Sequence, residues 1–163
     1  MEAFAQWLGG TQISHSIQRA IWLIALLQAI HIVAIAMVLS SVAMLELRIL
    51  GVTRSQSITE TAHRFMPWLW AGLVVLASTG IVLIIAEPKR TLDNNLAFDL
   101  KMLMLAAAIV VTLAFQASLS RHVALWEDHP QKRKLLSAFA AFTLLLWCAI
   151  AVAGRWIAYV RVE

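Results

Sequence analysis

The sequence predicts an all-α integral membrane protein, a four-helix bundle preceded by a short interfacial helix. Three observations predict it. Hydrophobic residues make up 61% of the 163-residue chain and charged residues only 13%, more apolar surface than a water-soluble domain of this size can bury. The apolar residues gather into four runs, each matching the roughly 20 residues that cross a bilayer. Between the runs lie short polar segments, and lipid leaves a spanning backbone only the helix or the closed barrel.

Composition also excludes functions. The formal charge of +4 would suggest nucleic acid in a soluble protein. Here Lys and Arg lie mainly in loops and at helix ends, so they read as topology signals and lipid headgroup contacts, with no nucleic acid as partner. The single cysteine, Cys148, excludes an internal disulfide and any cysteine-cluster metal site. Glu2 and the lack of a basic residue before Arg19 argue against a cleaved signal peptide. No Gly-rich phosphate loop, catalytic serine motif or paired carboxylate occurs, so no catalytic residue is singled out.

Residues 1–163 read as one membrane domain. In the lead-in, residues 1–18, Phe4, Trp7 and Leu8 form an apolar patch before Gly9-Gly10. Thr11 caps a helix with Ile13, Ile17 and Ala20 on one side, lying on the membrane. The first span covers about residues 20–47, with Gly51 as its cap. Ser57-Ile58-Thr59-Glu60 reads as a capping box that starts a helix before the second span, about residues 66–86, where Pro67 should kink it. A polar turn from Glu87 to Asn95 leads to the third span, about residues 97–120. After the charged segment from Arg121 to Lys134, Pro130 suits the first turn of the last helix, with Asp128 or His129 as cap. The fourth span covers about residues 135–160. Trp22, Trp156 and Tyr159 would form an aromatic belt at one face, and Trp68, Trp70 and Trp126 at the other.

Four spans put both termini on one side. Arg19, Lys89, Arg90 and Arg161 lie there; Arg54, Arg64, Arg121, Lys132, Arg133 and Lys134 lie opposite. The second set is larger, which places it in the cytoplasm and the termini in the periplasm.

Polar side chains inside the spans are functional candidates by default, because an ionisable group at mid-bilayer costs roughly 2.5 kcal/mol or more. His31 lies about 11 residues into the first span, with Gln28 one turn before it on the same helical face. Cys148 is at similar depth in the fourth span, and Thr79 is about 8 residues in from the end of the second. Lys101 and Arg155 lie nearer the terminal face. An imidazole in the middle with two cations above it suits haem b, whose iron takes an axial His and whose propionates want cations. In that reading His31 ligates the iron, Lys101 and Arg155 meet the propionates, and Gln28 adjoins the site. The same residues are equally accounted for by an imidazole hydrogen-bonding across helices and cations snorkelling to headgroups. At the opposite end, His63, His122 and His129, with Met66 one turn after His63, have the ligand types for copper or a second haem, although solvated interfacial histidines explain them more simply. Cys148 reads as a small packing residue.

Several of these residues also carry a resemblance. They are His31 followed by Leu47-Arg48-Ile49-Leu50-Gly51, Pro67-Trp68 and Gly80 in the second span, Phe98 and Lys101 opening the third, and Gly154-Arg155-Trp156-Ile157-Ala158-Tyr159 at the end. With them the chain resembles, over nearly its whole length, a family of small four-helix bacterial inner-membrane proteins of unknown function. More distantly it is similar to the four-helix bacterial protoporphyrinogen oxidase of haem synthesis and to the membrane domain of copper-resistance protein D. The oxidase resemblance implies haem b, with His31 as ligand and Lys101 essential.

The resulting expectation is a haem-b-binding redox protein of the bacterial inner membrane, transferring electrons to or from a quinone- or porphyrin-like partner. The alternatives are a non-catalytic accessory subunit of a larger membrane or redox complex, and a copper-handling protein.

Overall fold

The computed structural model describes residues 2–52, 56–92, 96–121 and 133–156, and every regular element among them is a helix. Two short helices, α1 (Glu2–Gly9) and α2 (Gln12–Arg19), precede the long α3 (Ile21–Ile49) and α4 (Ile58–Ala86). A five-residue helix α5 (Pro88–Leu92) links α4 to α6 (Leu96–Arg121), and α7 (Arg133–Trp156) closes the described chain. Helices α3, α4, α6 and α7 are each long and apolar enough to cross a membrane. The predicted four-helix membrane bundle is therefore the observed architecture.

The helix ends follow local sequence. Leu50 caps α3, and Gly51 after it takes φ 82°, where a side chain would clash. Val52 N–H then bonds Leu47 O and Gly51 N–H bonds Arg48 O, the two bonds of a Schellman ending. The Arg48 side chain donates to Gln56 O and ties the following turn back to α3. At the start of α4 the capping box is complete: Glu60 N–H donates to Ser57 Oγ and Ser57 N–H to Glu60 Oε2, both at 3.0 Å. The helical assignment runs unbroken through Pro67. The proposed Asp128–Pro130 cap of the last helix lies outside the described residues.

Two segments carry more helix than the sequence suggests. Residues before Gly9 form α1, and the polar turn after α4 contains α5. Pro88 occupies the first position of α5, where a missing N–H costs nothing. The lead-in also has a task. Thr11 caps α2 as expected, accepting from Ser14 N–H. Ser14 Oγ donates to Ile85 O at 2.8 Å and Gln18 Nε2 to Ala86 O at 2.9 Å. Those carbonyls belong to the last turn of α4, which has no intrahelical donors for them. Phe4 and Trp7 stack with 5.9 Å between centroids and stay exposed.

Helix α3 lies close along α4, packs also on α7, and α7 packs on α6. Gly72 makes the first contact feasible: a Cβ there would come within 2.6 Å of Val38 Cγ2. One apolar cluster joins Leu45, Ile49, Ile58, Ala62, Met66, Phe115, Leu119 and Ala140 at the end where α3 turns into α4. A second, built on Val38, Leu69, Ala108, Trp147 and Ile150, fills the middle. Beyond Val38, Ala108 and Ile150, toward the terminal end, no such cluster continues among the described residues. His31, Thr79 and Lys101 lie in that part.

Candidate functional site

Three of the four long helices bring polar side chains into this terminal half, and the fourth brings a glycine. His31 is half-buried on α3, and its Nδ1 lies 2.6 Å from Thr79 Oγ1 on α4. Thr79 is itself buried, with its Oγ1 2.7 Å from Val75 O. A hydroxyl has one proton, and a main-chain carbonyl can only accept. The Thr79 proton therefore goes to Val75 O, and the ring donates Nδ1–H to Thr79 Oγ1. In a neutral ring this arrangement leaves the lone pair on Nε2.

The His31 ring passes close to a glycine. A Cβ on Gly80 would lie 3.7 Å from His31 Cε1. Lys101, half-buried on α6, is within electrostatic reach of the ring. Its Nζ would be 3.2 Å from a Cβ on Gly154 of α7, so the ammonium lies against bare backbone there. His31 and Thr79 thus meet across α3 and α4, with Lys101 near enough to act on the ring electrostatically.

Other candidates point elsewhere. Gln28 is exposed although it stands one turn from His31. Helix α3 is apolar all round, so sequence spacing did not say which edge of the His31 face turns inward. Cys148 and Arg155 share a face of α7, and both are exposed on it. Cys148 is therefore not the interior packing residue expected. The aromatic belts divide similarly: Trp22, Trp156 and Trp68 are exposed, whereas Trp70 is half-buried and donates through Nε1 to Gln116 Oε1 at 3.1 Å. Tyr159 and Trp126 lie outside the described residues.

The histidines of the opposite end do not converge with Met66. His63 is exposed and Met66 is buried in the apolar cluster. His122 and His129 lie outside the described residues. Among the described residues no group of three or more His, Cys, Asp and Glu side chains comes together.

Sequence spacing does not single out Glu46. It is the one acidic or basic residue among the buried polar side chains of the described chain, 7% exposed, and it bonds Thr143 of α7. A clue was available, since a carboxylate three residues before the end of an apolar span has no reason to face lipid.

A family model for a family of unknown function (DUF6644) matches residues 13–160. The chain belongs to that family. No curated protein and no solved structure matches it, so the wider likeness to protoporphyrinogen oxidase and copper-resistance protein D finds no support. The match takes in all of α2 but its first residue and runs through α7, and with them every residue of the His31 layer.

Proposed function

We propose that this DUF6644 protein is a haem-b-binding membrane redox protein that passes electrons between a quinone- or porphyrin-like partner and a second protein. One observation carries the reading: the Thr79 hydroxyl holds the Nδ1–H of His31 and leaves Nε2 as the basic end of a membrane-embedded imidazole. Metal-ligating histidines almost always donate their other ring N–H in this way, which fixes the ring and raises its basicity. The residues present fit the group. His31 would supply a ligating nitrogen and Lys101 a cation for a propionate. Gly80 and Gly154 keep Cβ atoms away from both side chains. Leu76, Met104 and Leu105, packed on the central apolar cluster, border this layer. Bound haem would supply one-electron chemistry. The chain's own part is to orient the imidazole through Thr79, to offset propionate charge with Lys101, and to keep water from the ring with the surrounding apolar helices. Arg155 would reach a propionate only from the flank, and Gln28 has no part.

A second reading has an observation of its own. The His31–Thr79 bond ties α3 to α4 without any cofactor, as it would in a non-catalytic accessory subunit of a larger complex. Copper handling has no converging ligand pair among the described residues. In a bacterial inner membrane the balance of Lys and Arg would put the termini in the periplasm.

The test is the visible spectrum of protein purified from haem-replete cells, oxidised and then reduced. The expected outcome is a Soret band that is lost or strongly shifted in His31→Ala, with Lys101→Ala retaining haem less well or at a changed potential. A colourless wild-type protein overturns the haem reading and leaves the accessory subunit.

A further inference from the structure

A second polar site lies at the other end of the bundle, around the Glu46 carboxyl. Glu46 stands about one helical turn before the end of α3, and its Oε1 accepts from Thr143 Oγ1. Its Oε2 is buried with no hydrogen-bond partner, the sole such side-chain atom among the described residues. The carboxyl lines a small cavity walled by all four long helices, including Met66 and Leu69 of α4, Thr112 and Phe115 of α6, and Thr143 and Trp147 of α7. Among the described residues no other titratable or charged side chain lines it, from α4, α6 or α7. An unpaired carboxylate in such surroundings costs several kcal/mol, which a proton on the group removes.

The hydrogen-bond count says where a donor is wanted. Thr143 has one hydroxyl proton and three acceptors in range, Glu46 Oε1, Phe139 O at 3.1 Å and Ala140 O at 3.0 Å. Thr112 sends its proton to Ala108 O at 2.8 Å, which leaves its lone pairs free. The free space in the cavity is about 10 Å³, roughly what one water needs when it has two or more polar partners. Glu46 and Thr112 both line it, so the carboxyl and the Thr112 hydroxyl are the partners a water there would take.

We propose that Glu46, with Thr143 holding its other oxygen and one water bridging toward Thr112, is a proton-exchange site inside the bundle. The step is a simple acid dissociation. The Oε2–H bond breaks, the cavity water takes the proton, and the proton leaves to solvent beyond the nearby end of α3; uptake is the reverse. Thr143 donates to the carboxylate when the proton is off and can turn to Phe139 O or Ala140 O when it is on. The site is independent of the haem reading, since it shares no residue with the His31 layer.

Two measurements on the full-length protein in detergent test it. Dicyclohexylcarbodiimide is an apolar reagent that attacks protonated carboxyls. Peptide mapping should find its adduct on Glu46, with the yield falling as pH rises and vanishing in Glu46→Gln. Infrared spectra should show a protonated-carboxyl C=O band that is absent in Glu46→Gln, displaced in Thr143→Val, and shifted when the protein is moved into D2O. The D2O shift and the adduct are read on the wild-type chain, so neither depends on a variant folding. An unlabelled Glu46 with no such band overturns the proposal. A band that does not shift in D2O also overturns it, because it marks a sealed structural acid that exchanges nothing.

Discussion

Thr79 does two things with one hydroxyl. It returns its proton to Val75 O within its own helix and accepts the Nδ1–H of His31 from the next. Back-bonding to the preceding turn is ordinary for threonine in a helix; here it also leaves the hydroxyl as acceptor for a half-buried imidazole. Thr79→Val keeps the shape and removes the acceptor. It should cost about 0.6 kcal/mol, the usual worth of an interhelical hydrogen bond in a membrane, read as a small drop in the midpoint of unfolding by denaturing detergent. The same variant should shift the reduction potential of any haem held by His31. Thr79→Ser, which keeps the hydroxyl, should restore it. If Thr79→Val leaves both readouts unmoved, His31 does not depend on Thr79.

The pairing of α3 with α4 turns on a missing side chain. In lipid the two helices gain little from hiding apolar surface, since the tails are as apolar as leucine, and close approach at small residues does the holding. Gly72 is that point. A methyl there would come within 2.6 Å of Val38 Cγ2 and 3.2 Å of Met37 Cε, and Val38 is fully buried in the central cluster with little room to turn. Gly72→Ala should therefore destabilise the bundle by about 1–3 kcal/mol, the usual cost of overpacking, seen as earlier unfolding in denaturing detergent. Val38→Ala in the same chain should recover part of the loss. Gly80→Ala is the contrast: its Cβ meets the His31 ring at an ordinary 3.7 Å, and its cost should be smaller. A Gly72→Ala protein as stable as wild type would show that α3 and α4 are held elsewhere.

At the scale of the whole molecule, α3, α4, α6 and α7 cross in succession and α1 and α2 fold back on the end of α4. Ser14 and Gln18 reach the Ile85 and Ala86 carbonyls, so the lead-in and the α4–α5 link lie at the same end. Single cysteines in a Cys148→Ala background, probed with an impermeant thiol reagent on sealed vesicles, should place Gln12 and Thr91 on one side and Gln56 on the other. Labelling of Thr91 and Gln56 positions from the same side would refute the four-span path. The background change is mild, since Cys148 is exposed on α7.

The sequence by itself determined the number of long helices and how the first turns into the second. Hydrocarbon forces each spanning segment to close its own hydrogen bonds, and the Gly51 ending and the Ser57–Glu60 box are local chemistry that needs no neighbour. It also determined the depth of His31, Thr79 and Lys101, because each residue advances a helix by about 1.5 Å. Only the tertiary structure decided which way the side chains face. A helix that is apolar on every side carries no amphipathic stripe to mark its inner edge. Gln28, Cys148 and Arg155 therefore turned out to be exposed, Glu46 turned out to be buried against Thr143, and the donor to Thr79 could be identified as His31. Those choices follow from where glycines let backbones approach and where one polar group finds another, and both depend on residues far apart in the chain.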